Sequence, residues 1–77
     1  MRRQAVKSES IASIGYNASR KELEIEFRQN RSVYRYFGVS PEEYTEFMAA
    51  ESKGTYLNQV FKLREHQYFV VRAGRRM

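Results

Sequence analysis

Two segments of this chain alternate apolar and polar residues at every second position, which is the period of a half-buried β-strand. The first segment covers residues 21–28. Its apolar face is Leu23, Ile25 and Phe27, and its acidic face is Glu22, Glu24 and Glu26. The second segment surrounds Tyr34 and Tyr36, and residues 11–16 form a similar segment before both. The pattern predicts a three-stranded antiparallel meander with one apolar face and one face on which the glutamates meet solvent.

The turns between these segments predict how the strands pair. A two-residue turn at Gln29 and Asn30, with Asn30 at positive φ, would join the second and third strands. The expected neighbours across them are Ile25 and Tyr34, Leu23 and Tyr36, and Glu24 and Arg35. A slip of one residue would bury the charge of Glu24 against an aromatic ring, which disfavours that register. A four-residue turn at 17–20 would put Ile14 opposite Leu23.

Helical signals follow the third strand. Ser40 is a suitable N-cap, Pro41 suits the first helical position, and Glu43 completes a capping box. A glycine just after a helix commonly ends it. The sequence therefore predicts a helix from about residue 41 to residue 52, with Gly54 as its stop.

The rest of the chain predicts a second helix at about 55–64. Residues 67–72 favour β-structure and are interpreted as an edge strand or as an extended segment over the core. The expected fold class is α+β: a three-stranded antiparallel meander, two helices packed on one face, and a possible short C-terminal edge strand. The expected boundaries are a disordered basic arm at 1–8, one domain at 9–72 and a flexible basic tail at 73–77.

Composition removes several kinds of chemistry. The chain has no cysteine, no aspartate and a single histidine, His66. Disulfides, thiolate metal sites and thiol nucleophiles are therefore excluded, and His66 has no partner at metal-ligand spacing. We expect neither catalysis nor a metal or other cofactor. No apolar run reaches the roughly 20 residues of a membrane span, and residues 1–7 lack the apolar core of a signal peptide, so the expected location is cytoplasmic.

Charge is distributed unevenly within a formal net charge of +5. Residues 38–54 carry four glutamates and one lysine, whereas both ends of the chain are basic. Basic surfaces suit phosphate groups or acidic partners. The candidate nucleic-acid-binding residues are Lys62, Arg64, Arg72, Arg75 and Arg76 toward one end and Arg2 and Arg3 at the other. The charges of Lys62 and Arg64 are explained equally well as complements to the C-terminal dipole of the second helix.

An ordered series of residues carries a family resemblance over about residues 8–68. The series is Ser10, Ile14-Gly15-Tyr16, Leu23-x-Ile25-x-Phe27, Tyr34-x-Tyr36, Val39-x-Pro41, Tyr44 and Ala50-x-Ser52-x-Gly54-x-Tyr56-x-Asn58. It resembles the KTSC domain, which occurs at the C-terminus of some lysyl-tRNA synthetases and as short free-standing bacterial proteins. The resemblance implies a small domain for which RNA binding has been suggested by analogy with the tRNA enzyme.

Two interpretations of Tyr34 and Tyr36 follow. The expected register sends both tyrosines to the helix-covered face, as core residues, although aromatics beside arginine can also stack on bases.

The leading hypothesis is a non-catalytic domain that binds RNA weakly through its basic termini. The alternative is a protein-interaction module that uses the outer sheet face at Val33 and Phe37, or the sheet edge at 68–71.

Overall fold

The three alternating segments do form a meander, and a further strand extends it at each edge. The computed structural model of the chain describes residues 1–74. Its five strands are β1 Arg3–Ala5, β2 Ile11–Asn17, β3 Glu22–Phe27, β4 Val33–Phe37 and β5 Tyr68–Arg72. They form one antiparallel sheet in the order β1-β2-β3-β4-β5. The fold is therefore α+β, and its sheet is wider than the predicted meander.

The strand β1 corrects the expectation of a disordered arm at residues 1–8. Arg3 pairs with Gly15, Gln4 with Ile14 and Ala5 with Ser13. A segment of three residues carries too little alternation to be recognised from sequence, and it is held by pairing with residues ten positions away. Of the expected tail at 73–77, residues 75–77 lie outside the described part of the chain.

The predicted register is confirmed between β3 and β4 and wrong between β2 and β3. Ile25 pairs with Tyr34 and Leu23 with Tyr36, as expected, but Arg31 rather than Asn30 takes the positive φ, at 62°. Ile14 pairs with Ile25 instead of Leu23. This is a shift of two residues, which leaves every side chain on its original face, so the apolar pattern cannot detect it.

The first helix begins where the sequence predicts and ends early. α1 covers Pro41–Ala49, and the Ser40 Oγ accepts a hydrogen bond of 3.1 Å from the Glu43 N–H. Ala50 is already extended. Gly54 does not stop this helix: it lies in the next one, where a Cβ would approach the Ser10 Oγ to 2.5 Å. The glycine is needed for close packing against Ser10, just before β2, rather than for a turn.

The second helical segment, residues 53–64, changes its pitch along its length. It starts as α2 Lys53–Tyr56, whose N-cap Ser52 accepts from the Thr55 N–H, and continues as a π-helical turn Leu57–Phe61 and a 3₁₀ turn Lys62–Arg64. Glu65, at φ 53°, then reverses the chain toward β5. No helix within residues 1–74 has the length and apolar character to cross a membrane.

The core lies between the inner face of the sheet and these helices. A bulge between Ile11 and Ser13 brings both Ile11 and Ile14 onto the inner face. The buried cluster comprises Ile11, Ile14, Leu23, Ile25, Tyr36, Val39, Phe47, Tyr56, Leu57 and Phe61. The helices cover the middle of the sheet and leave part of the inner face of β4 and β5 open.

Candidate functional site

The two basic ends of the chain lie on opposite edges of the sheet. Arg3 is in β1 and Arg72 is in β5, and three strands separate them. Four interstrand spacings correspond to roughly 19 Å. The strands that carry the basic termini are therefore far apart, although the side chains of Arg3 and Arg72 both reach glutamates of β3.

Three of the five predicted nucleic-acid-binding cations within residues 1–74 are engaged in ion pairs. Arg3 contacts Glu24 at 2.9 Å, Arg72 contacts Glu26 at 3.0 Å, and Arg64 contacts Glu43 at 3.1 Å. No ion pair of Arg2 or Lys62 is found within the described residues. Arg75 and Arg76 lie outside them. Among the predicted cations within residues 1–74, Lys62 has no ion pair and also lines a cavity.

Glu24 shows why the outer sheet face is not a solvated glutamate stripe. Its side chain is 3% exposed and lies between Arg3 on one side and Arg35 on the other. Burial raises the pKa of Glu24, but hydrogen bonds and charge from Arg35 and Arg3 outweigh it, and the net pKa is lowered. Gly15 permits this bridge, because a Cβ there would lie 2.9 Å from the Arg3 Cγ. The expectation of glutamates facing solvent is wrong.

The charge of Glu26, on the same face of the sheet, is also neutralised by its neighbours. The Ser13 hydroxyl donates to the Glu26 carboxylate at 2.8 Å, and Arg72 contacts that carboxylate from β5. The hydrogen bond from Ser13 lowers the pKa of Glu26, although burial opposes it. Val33, expected to be exposed on this face, is 1% exposed, and Phe37 stacks on Phe69. The outer face is thus an interlocked ionic layer, with the Phe37–Phe69 stack on its β5 side.

An aromatic groove opens on the inner face, where β4 and β5 extend past the helices. Tyr36 is buried, as predicted, whereas Tyr34 is only half-buried. The Tyr34 ring stacks on Tyr68, with centroids 5.3 Å apart, and meets Phe27 edge-on at 5.4 Å. Two adjoining cavities, of about 560 and 520 Å³, share Tyr34, Tyr36 and Lys62 in their walls. We call this surface, formed by Phe27, Tyr34, Tyr36, Lys62 and Tyr68, the tyrosine groove.

Tyr68 is the member of the groove that sequence reasoning placed elsewhere. It is expected only as part of a sheet edge, but pairing with Tyr36 puts it on the inner face beside Tyr34 and Tyr36. The sequence does not show that Tyr68 shares a face with Tyr34 and Tyr36, because that depends on β5 pairing with β4 in this register. His66 helps to hold this turn, because its Nδ1 lies 3.1 Å from the Phe37 carbonyl oxygen and its Nε2 lies 2.8 Å from Glu43.

The groove combines neutral phenols with one cation. Burial, together with the neighbouring Tyr34 and Tyr68, raises the pKa of Tyr36 to about 12, so this phenol remains protonated at neutral pH. Lys62 lies in both cavity walls, and the acidic Glu9 and Glu65 lie toward opposite ends. The groove therefore offers flat aromatic surface and one point for an anion in its middle. Such a surface suits stacking of a planar group whose charge lies to one side.

A third cavity, of about 630 Å³, adjoins the groove at Glu9 and Ser10. Two of its three cations serve the fold: Arg28 Nε donates to the Ser8 carbonyl at 3.0 Å, and Lys53 Nζ donates to the Ala50 carbonyl at 3.2 Å. The third, Lys7, is exposed. No cluster of metal-ligating side chains is found among residues 1–74. The tyrosine groove is therefore the best candidate site.

A family model and a crystal structure both identify the KTSC domain in this chain. The KTSC domain model matches residues 7–64. An uncharacterized protein of Stutzerimonas stutzeri (strain A1501) is 39% identical over 69 residues, covering 90% of this chain and 96% of the relative. A protein of Tsukamurella paurometabola is 34% identical over 61 residues, covering 79% and 90%. The crystal structure of a KTSC domain protein from Yersinia pestis superposes with a TM-score of 0.83 at 37% identity, covering 91% and 96% of the two chains.

Proposed function

This chain belongs to the KTSC domain family, and from that premise we propose that it is a non-catalytic, cytoplasmic domain that binds single-stranded RNA. The proposed site is the tyrosine groove. This retains RNA as the ligand but moves the site from the termini, because their described cations Arg3 and Arg72 are paired and lie at opposite edges.

The observation that carries the proposal is the stack of Tyr34 on Tyr68 beside Lys62. Tyr68 is 56% exposed and presents ring surface to the groove. Stacking of a base on an aromatic side chain contributes about 1–3 kcal/mol and tolerates different bases, because every base has a π-face. Lys62 is placed to meet a phosphate of the same strand.

The expected binding is modest and weakly sensitive to salt. Lys62 would neutralise one phosphate, and the remaining positive charge of the chain would act at longer range as about one more, so about two phosphates are neutralised in all. The logarithm of affinity should then fall with the logarithm of salt at a slope of about −1.4. A site that depended on the basic termini would give a steeper slope.

The experiment is a titration of labelled single-stranded RNA, followed by fluorescence anisotropy, against matched pairs of variants. Tyr68→Ala and Phe69→Ala remove aromatic side chains of similar exposure, 56% and 45%, from opposite faces of one strand. Tyr68→Ala should weaken binding about 5- to 150-fold, which is the loss of one stacking contact. Phe69→Ala should leave binding within about twofold.

A second pair tests the charge. Lys62→Gln and Arg20→Gln lower the net charge equally, but Arg20 lies on the distant β2–β3 turn. Lys62→Gln should flatten the salt slope by about 0.7, the share of one phosphate on a single strand. Equal effects of the two charge variants, or loss of binding in Phe69→Ala alone, would refute the groove as the site.

The alternative function, protein interaction, is favoured by one observation. The outer face does not support it, since Val33 is buried there. The open edge of β5 does, because four consecutive large apolar side chains are exposed at 68–71. The two functions share Tyr68, whose ring lines the groove and whose backbone lies at the open edge.

A further inference from the structure

The edge of β5 has an unused row of backbone hydrogen-bonding groups. Within residues 1–74, strand β4 is the only partner of β5. The Phe37 N–H donates to the Gln67 carbonyl at 2.8 Å. Because paired residues in antiparallel strands alternate between bonded and non-bonded, Phe69 also turns its backbone groups toward β4. Tyr68 and Val70 therefore direct theirs to the open side.

This edge lacks the usual protection against further pairing. Edge strands are commonly guarded by charges, prolines or bulges. Residues 67–71 contain no charged residue and no proline. The bulge comes only at the end of the strand, where Val33 pairs with Arg72 while Tyr34 pairs with Val70. A regular, neutral stretch from Gln67 to Val70 remains available.

We propose that this stretch pairs with the same stretch of a second copy of the chain, in antiparallel register about a two-fold axis at Phe69. Tyr68 would then form a hydrogen-bonded pair with the partner's Val70, and Val70 with the partner's Tyr68. Phe69 would lie opposite the partner's Phe69. The two sheets become one sheet of ten strands. This inference is independent of the proposed RNA site.

The occupant is a second copy because the edge is complementary to itself. Its outward hydrogen-bonding residues, Tyr68 and Val70, are symmetric about Phe69, which is what a closed two-fold interface requires. The edge itself carries no charge that would select an acidic peptide in a chain of net charge +5. Phe69 already stacks on Phe37, with centroids 5.7 Å apart, and lies under Arg35. The partner's Phe69 would extend this aromatic row.

The register follows from the bulge. Pairing shifted by two residues in the partner would centre the axis on Val70 and would set Tyr68 against the partner's Arg72. Arg72 lies beyond the bulge, and its guanidinium is bound to Glu26 and to the Arg31 carbonyl oxygen. The Phe69-centred register uses only the regular stretch. It also places the two tyrosine grooves on the same side of the joined sheet.

Single cysteines test both the dimer and its register, because the chain has no cysteine of its own. In the proposed register the two Phe69 Cα atoms form a non-hydrogen-bonded pair about 4.5 Å apart, which a disulfide can span. The two Val70 positions are diagonal neighbours about 7–8 Å apart, which is too far. Phe69→Cys should form a covalent dimer under mild oxidation, and Val70→Cys should not. The reverse result, or no cross-link in either variant, would overturn the proposal.

Sedimentation of the cysteine-free chain supplies an independent readout. The wild type should show a reversible dimer whose affinity does not fall with salt, because salt screens repulsion between subunits of equal charge. Val70→Pro removes one outward N–H without touching the β4 ladder and should weaken the dimer at least tenfold, while Val70→Ala keeps it. Circular dichroism checks that Val70→Pro is folded. A wild type that is monomeric throughout, or a folded Val70→Pro as dimeric as Val70→Ala, would also overturn the proposal, as would association that requires an added peptide or RNA.

Discussion

Replacing Glu24 by glutamine should destabilise the fold more than any other change of one charge on the sheet. Glu24 receives hydrogen bonds from Arg3 at 2.9 Å and from Arg35 Nε at 2.9 Å, and its side chain is 3% exposed. Removing one partner of a fully buried pair costs about 3–5 kcal/mol. The two arginines are 26% and 28% exposed, so water partly compensates them. We therefore expect a loss of about 2–3 kcal/mol.

This loss is large for so small a domain. At about 0.05–0.15 kcal/mol per residue, the whole chain is stable by roughly 4–12 kcal/mol. A loss of about 2–3 kcal/mol corresponds to a drop in Tm of roughly 10–20 °C. Thermal unfolding by circular dichroism measures the drop, and urea titration at constant m-value shows that the native state itself was affected. Glu51→Gln, an exposed position with the same charge change, is the matched control.

The dependence on pH gives this prediction a second, sharper test. The pKa of Glu24 is lowered in the folded state, so its contribution is present above the normal pKa, near 4.5, and is lost as pH falls through the folded value. The difference between wild type and Glu24→Gln should therefore shrink in acid. Equal midpoints for Glu24→Gln and Glu51→Gln at neutral pH, or a difference that persists unchanged in acid, would refute a stabilising role for the buried carboxylate.

Three further substitutions test the N-cap of α1, the close contact between β1 and β2, and the buried tyrosine of the groove. Ser40→Ala should cost about 1 kcal/mol by removing the acceptor for the Glu43 N–H, while Ser19→Ala on an exposed turn should not shift the midpoint. Gly15→Ala should cost about 1–3 kcal/mol, because its Cβ would lie 2.7 Å from the Arg2 carbonyl oxygen; an unchanged midpoint would contradict the tight β1–β2 contact. Burial raises the pKa of Tyr36 to about 12, so the stability it supplies is complete below pH 10 and is lost as pH rises through 12. Tyr36→Phe should therefore lose less stability than wild type between pH 9 and 12, and parallel alkaline unfolding curves would show that Tyr36 is not the titrating group.

Local chemistry is enough to explain the elements that the sequence predicts correctly. Alternation with period two assigns the faces of β3 and β4, and the match of apolar with aromatic residues sets Ile25 opposite Tyr34. Ser40 and Pro41 are neighbours, so the cap on the Glu43 N–H and the first helical residue specify the start of α1 locally. The Glu43 carboxylate, expected to complete a capping box, instead contacts His66 and Arg64. The ordered series over about residues 8–68 also identifies the family.

Long-range contacts decided the rest, because their energy depends on residues far apart in the chain. The two-residue shift between β2 and β3 changes no face and is chosen by packing alone. β1 is too short to be visible as a strand until Arg3 reaches across Gly15 to Glu24, which turns an expected solvated carboxylate into a buried one.

The candidate site shows the same division. Tyr34 and Tyr36 lie on the inner face because alternation puts them there, as the sequence predicts. Whether they are covered depends on where the second helical segment ends, and Tyr68 joins them only because β5 pairs with β4. A groove is the gap left between packed elements, and its position is a property of the tertiary arrangement rather than of any local pattern.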